Sequence, residues 1–201
     1  IAQPLRAKAP GRVDNVDPVE TFCAKAAEVG ATTHRIASLA DLGAAVADYL
    51  RSRNLAHSVK VAPELEDWVV DWPASLTVNY GGTMGMDLVG IAAARAGVAE
   101  TGTLVLASGA KSPTKLNFLP ETHIVVLFAP RIVGTYEQAM DSVRRDVLRK
   151  KLDTPLLPRP LLPRVVNWIT GPSRTADIEQ TLLVGVHGPK RIHIVIVDAE
   201  P

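Results

Sequence analysis

The chain has 201 residues, with 22 lysines and arginines against 21 aspartates and glutamates. This length suffices for one globular domain with a buried core, and an apolar content of 47% excludes a wholly disordered chain. The net charge is only +1, so the overall composition gives no sign of the basic face that nucleic-acid binding requires.

The single cysteine, Cys23, narrows the class of protein further. One cysteine cannot form an internal disulfide, and it cannot supply the thiolates of an iron–sulfur cluster or of a cysteine-rich zinc site. No apolar run of the sequence approaches the roughly 20 residues that span a bilayer. We therefore expect a protein of a reducing compartment, the cytoplasm, without a membrane span.

The first sixty residues predict an alternation of helices and strands. Residues 1–16 predict an extended lead-in, after which Asp17 and Pro18 are typical of a helix start and Gly30 of its end. The elements expected next are a strand over 32–36, a helix capped by Ser38 and a strand over 57–61. This alternation indicates an α/β sheet covered by helices.

The remaining elements follow the same logic. Strands are expected over 76–80, 124–128, 165–169 and 192–197, and a helix over 136–151 capped by Thr135. Between residues 88 and 108 the pattern permits two buried strands, or one strand and a tight turn. Four closely spaced prolines predict an extended connector over 153–164. Residues 173–183 are expected to form a loop and a short helix, and residues 17–201 one domain.

The strongest local pattern is the segment Gly-Pro-Ser-Arg-Thr-Ala-Asp-Ile-Glu at 171–179, between an expected strand and the expected short helix. Free N–H groups at a helix start attract anions. Gly171 would open the loop, Ser173, Arg174 and Thr175 would add side-chain donors, and Asp177 or Glu179 would orient Arg174. The alternative is that Ser173 or Thr175 simply caps the helix, whose positive end the two carboxylates favour.

Two shorter patterns supply further candidates. Glu100 and Thr101 precede a glycine in an expected turn, where a carboxylate can act as a nucleophile or base, or can simply end the turn. His187 and Gly188 precede two cations, where they could contact an anion or form an ordinary turn. The other histidines near expected strands, His123 and His193, are expected to be buried and hydrogen-bonded. No two histidines have the spacing of ligands on a helix, so we expect no metal site.

Three ordered blocks carry a family resemblance. They are Glu100 to Leu106, then residues 116–126 with their Leu-Pro-x-x-His-Ile-Val-Val ending, and finally residues 162–179 continuing to 184–193. Together these blocks cover most of residues 98–198, and they resemble the LUD-domain family, which is also described as lactate utilisation protein C.

The resemblance implies a three-layer α/β/α fold like that of sugar-phosphate isomerases and CoA-transferases. It also implies work beside two iron–sulfur subunits that oxidise L-lactate to pyruvate, with the clusters in those partners and no cofactor in this chain. We therefore predict a non-cluster subunit that binds a small carboxylate or phosphate-containing ligand. The alternatives are a free-standing acyl-transfer enzyme that uses Glu100 and a structural adaptor without a ligand.

Overall fold

A computed structural model describes residues 17–68, 71–153, 162–176 and 182–200. The helices are α1 (Pro18–Glu28), α2 (Leu42–Ser52) and α3 (Tyr136–Asp153). The strands are β1 (Thr32–Ile36), β2 (Ser58–Val61), β3 (Thr77–Tyr80), β4 (Val89–Ala93), β5 (Ala96–Val98), β6 (Thr103–Ala107), β7 (Thr122–Phe128), β8 (Ile132–Val133), β9 (Val166–Ile169), β10 (Arg174–Ala176), β11 (Leu182–Val184) and β12 (Arg191–Val197). None of the described helices is both long and apolar enough to cross a membrane.

Six parallel strands form the main sheet, in the order β1–β12–β7–β4–β2–β3. Every residue of the central strands β4 and β7 is buried, because both faces of the sheet are covered. A parallel sheet buried on both faces has continuous apolar strands rather than alternating ones. The prediction of an α/β fold with a mostly parallel central sheet flanked by helices is confirmed.

The two faces of the main sheet are covered differently. Helix α2 packs on one face through the fully buried Leu42, Val46 and Leu50. The other face carries α1, through Phe22, together with a four-stranded sheet in the order β8–β5–β6–β9. Helix α3 packs on the far side of this small sheet through Ala139 and Val143.

Most predicted elements are confirmed where the chain is described. The Asp17 carboxylate accepts a hydrogen bond from the backbone N of Val19 at 2.9 Å, which caps α1 as expected. Residues 88–108 hold three strands where at most two were expected, because β5 and β6 form a hairpin. The expected lead-in and residues 154–161 of the proline connector lie outside the described residues.

The expected short helix after residue 173 is wrong for the residues that are described. Strand β10 pairs antiparallel with β11, with Arg174 opposite Val184. Both segments therefore obtain their backbone hydrogen bonds across a ribbon rather than within a helix. Residues 177–181, between the two strands, lie outside the described residues.

Two buried histidines lie on opposite faces of the main sheet near the amino ends of its strands. His193 stacks on Tyr49 with ring centroids 3.7 Å apart, and its Nδ1 lies 2.8 Å from the Thr32 hydroxyl, as the sequence analysis predicted. His123 is fully buried as predicted, but neither of its ring nitrogens has a hydrogen-bond partner among the described residues. Burial disfavours the charged imidazolium, and it lowers the pKa of both rings from 6.5 to about 4.

We expect the protein to lose stability between pH 6.5 and pH 4, because the unfolded chain takes up protons on both histidines that the folded chain refuses. Each ring should contribute a slope of up to about 1.4 kcal/mol per pH unit. Urea unfolding across this range measures the slope. His123→Leu should remove roughly half of this contribution, whereas His187→Gln, at an exposed position, should leave it intact. An unchanged slope in His123→Leu would contradict this explanation.

Gly102 allows the β5–β6 hairpin to pack directly on the backbone of α1. Its φ is +67°, and a Cβ at this position would meet the Ala26 backbone N and lie 2.7 Å from the Lys25 carbonyl carbon. We expect Gly102→Ala to lower the free energy of unfolding by roughly 2–5 kcal/mol, from backbone strain and overpacking together. Gly82→Ala is the matched control, since the nearest atom there is 3.5 Å away and its φ is not positive. Equal stability of the two variants would show that this contact is not needed.

Candidate functional site

Charged residues follow three of the parallel strands at the point where each strand ends. Glu64 comes shortly after β2, Arg95 shortly after β4 and Arg131 shortly after β7. The carboxyl ends of parallel strands meet at one edge of a sheet, where ligands of open α/β folds bind. The structure accordingly brings these three side chains to the wall of one cavity.

Glu64, Arg95 and Ser112 form a buried polar cluster at this edge. Glu64 Oε2 accepts hydrogen bonds from Arg95 Nη2 at 2.8 Å and from Ser112 Oγ at 2.5 Å. The side chains of Arg95 and Glu64 are only 16% and 8% exposed. A buried charge is tolerated when it is paired and hydrogen-bonded, so the three side chains hold one another in place.

The adjoining cavity has a volume of about 600 Å³. Its apolar wall includes Trp68 from the segment after β2, Val143 and Val147 from α3, and Leu162. At the rim Lys111 and Asp67 form an ion pair of 2.7 Å, and both side chains are more than half exposed. An exposed pair of this kind contributes little stability, so Lys111 can exchange its partner for a ligand at small cost.

Arg95 keeps donors available for a ligand. Both of its side-chain hydrogen bonds to described residues leave from Nη2, one to Glu64 and one to Ser112 at 3.2 Å. A guanidinium carries five N–H donors in a planar fork that matches carboxylate and phosphate oxygens. Nε and Nη1 make neither of these bonds, so each can donate singly to an oxyanion while Nη2 stays bonded to Glu64 and Ser112.

The loop predicted as the anion site lies at the opposite edge of the main sheet. Ser173 donates its backbone N–H to the carbonyl of Pro189, which leads into the amino end of β12. The Arg174 guanidinium lies against Gly30, just before the amino end of β1. Gly171 packs on Val29, and Gly188 packs on Ser173. The structure thus brings the predicted residues Gly171, Ser173, Arg174 and Gly188 together. The helix start on which the anion prediction rested is absent from residues 171–176.

The other predicted site residues are dispersed or undescribed. Thr101 belongs to a row of three hydroxyl groups. The Thr103 Oγ1 lies in the middle, 2.7 Å from the Thr101 Oγ1 and 2.7 Å from the Thr170 Oγ1. Glu100 is exposed on the turn between β5 and β6 and does not line the cavity, and His187 is exposed. The backbone of Thr175 lies in β10, whereas Asp177 and Glu179 lie outside the described residues.

Glu64, Arg95 and Ser112 were not among the site residues predicted from the sequence. The sequence contained a signal for the first two, since each comes shortly after a short strand. Residues that follow parallel strands lie at the carboxyl ends of those strands, where ligands bind in open α/β sheets. Ser112 gave no such signal, because it lies 48 residues from Glu64 in a turn after β6. Among the residues that the structure describes, no three His, Cys, Asp or Glu side chains are placed to share a metal ion.

Comparisons of the sequence with known proteins identify a family and several relatives. The LUD domain family model matches residues 85–197. The Lactate utilization protein C of Geobacillus sp. (strain WCH70) is 39% identical over 111 residues, which are 55% of this chain and 42% of that protein. The protein of the same name from Geobacillus thermodenitrificans (strain NG80-2) is 34% identical over 139 residues, which are 64% of this chain and 54% of that protein.

A solved structure gives independent support for the fold alone. A DUF162 family protein from Deinococcus radiodurans matches with a TM-score of 0.59 at 22% identity, and the match covers 90% of this chain and 96% of that one. The chain spans about half the length of the curated relatives it matches. The family model covers more than half of the chain, and its match includes Arg95, Ser112 and Arg131; the chain therefore belongs to the LUD domain family.

Proposed function

We propose that this chain is a ligand-binding component of a lactate utilisation system, and that it binds a small carboxylate- or phosphate-bearing molecule in the cavity beside Arg95. The names of the matched relatives support the process. The observation that supports the ligand is the buried Glu64–Arg95–Ser112 cluster at the cavity wall.

The cluster supports ligand binding because Glu64 offsets the free-energy cost of burying the Arg95 charge and holds the side chain in place. An arginine at this depth would be strongly destabilising without a partner, and Glu64 supplies that partner. The pairing leaves the guanidinium charged and oriented before any ligand arrives. The conformational entropy of the Arg95 side chain is therefore lost on folding rather than on binding. A charge-assisted hydrogen bond from such a fork contributes roughly 1.5–3 kcal/mol.

The proposal extends to partners. The resemblance to the family implies iron–sulfur subunits that carry electrons from L-lactate, and the single Cys23 leaves that task to them. In this division of labour the chain holds a ligand, and the partners, in the cytoplasm, transfer the electrons. The geometry does not favour acyl transfer by Glu100, because that carboxylate is exposed on a turn outside the cavity.

Two conservative variants distinguish the two edges of the sheet as binding sites. Arg95→Lys keeps the charge but loses the fork, so it should weaken binding of L-lactate or inorganic phosphate about tenfold. Arg174→Lys makes the same change at the opposite edge and should leave binding unchanged. Isothermal titration of the whole chain with each anion measures both. The reverse result would move the site to the predicted anion site around Ser173 and Arg174, and no binding by the unaltered chain would favour the adaptor.

The role in lactate utilisation is tested in the source organism. Deleting the gene for this chain should abolish growth on L-lactate as sole carbon source and preserve growth on pyruvate, the product of the proposed pathway. Anaerobic purification of the tagged chain should recover iron-bearing partners and lactate-dependent dye reduction. Normal growth on L-lactate after deletion would refute the proposed role.

A further inference from the structure

A second depression, of about 500 Å³, adjoins the cavity at the carboxyl edge. The two share Arg95, Arg131 and Asp146 in their walls, so they are adjoining lobes of one groove. We call the part beside Trp68 the apolar lobe and the part beside Arg145 the arginine lobe. A molecule as small as lactate would fill only a minor part of such a groove, since cavities of roughly 300–1,000 Å³ suit much larger organic ligands.

The arginine lobe brings together guanidinium groups that have donors to offer. Arg145 donates to Ser142 Oγ at 3.0 Å, and no carboxylate among the described residues lies within salt-bridge distance of it. Arg131 is held between Asp146 at 3.5 Å and Glu200 at 2.8 Å. The lobe thus holds three guanidinium groups against the carboxylates of Asp146 and Glu200, and the donors that remain exceed those that one ligand carboxylate can accept. A phosphate group, with nearly two charges and three acceptor oxygens, matches them better.

The apolar lobe offers an aromatic wall. Trp68 is half-buried and makes an edge-to-face contact with Phe128, with ring centroids 5.5 Å apart. The Arg131 guanidinium lies over the face of the same Phe128 ring, with its Cζ 5.6 Å from the ring centroid, and Arg131 lines both lobes. Aliphatic side chains of Val147 and Leu162 complete the lining. Such a surface suits a planar, largely apolar body rather than a short hydroxy acid.

We propose that this groove binds an organic phosphate with a planar body, of the nucleoside monophosphate class. The phosphate occupies the arginine lobe, and the planar body lies against Trp68 in the apolar lobe. This inference rests on the proposed function in using the same cavity and Arg95, and it specifies a larger ligand than lactate.

Titration calorimetry with the whole chain tests the two-lobed geometry, with AMP, adenosine and inorganic phosphate as probes. AMP should bind at least about tenfold more tightly than either part, because only AMP fills both lobes. Arg145→Ala should weaken AMP binding about tenfold and leave adenosine binding unchanged. Arg144→Ala is the matched control, since Arg144 is exposed one residue away on α3, pairs with Asp141 and lines neither lobe. Trp68→Phe should weaken adenosine and AMP alike.

The outcomes separate this inference from the proposed function. Equal affinity for AMP and adenosine, or equal effects of Arg145→Ala and Arg144→Ala, would overturn the placement of a phosphate in the arginine lobe. If L-lactate bound through Arg95 and AMP bound no better than phosphate, the inference would fall while the proposed function stood. If AMP bound as expected but deletion of the gene left growth on L-lactate intact, only the proposed function would fall.

Discussion

The main parallel sheet must be covered on both faces, and the rest of the structure follows from that constraint. Six parallel strands expose apolar side chains on each face, and neither face can remain in water. Helix α2 packs on one face, and α1 shares the other face with the small sheet. The small sheet completes that side, and it in turn needs α3 on its outer surface. The two larger sheets and the three helices of the described residues thereby enclose three buried apolar clusters.

Covering both faces leaves the strand ends as the place for charged side chains. Glu64 and Arg95 lie where the strands emerge, deep enough to be desolvated and close enough to compensate each other. A pair of this kind adds little net stability compared with apolar residues of similar size, so stability alone does not account for it. The buried imidazoles of His123 and His193, at the other end of the strands, differ from this charged pair. Burial lowers the pKa of both rings and so favours their neutral form.

The geometry also bears on how a lactate utilisation system could divide its work. Arg95 lies in the cavity wall, where Glu64 holds it, and in the proposed function this side chain binds the anion. One cysteine cannot ligate an iron–sulfur cluster, so in the proposed system the partners would carry the clusters. The small organic anion and the larger organic phosphate that we propose both use the oriented fork of Arg95, and they differ in how much of the groove they fill.

The sequence by itself determined the local elements of this protein and its family. Asp17 and Pro18 start α1 through contacts within one helical turn, and continuous apolar runs of strand length indicate β7 and β12. Only the tertiary structure decided the candidate site, because Glu64 meets Arg95 across 31 residues and Ser112 across 48. It also decided that residues 174–176 form a ribbon strand, since the partner strand β11 lies beyond any local period. Periodicity reports the burial of neighbouring residues, whereas these pairings arise from the order in which strands join a sheet.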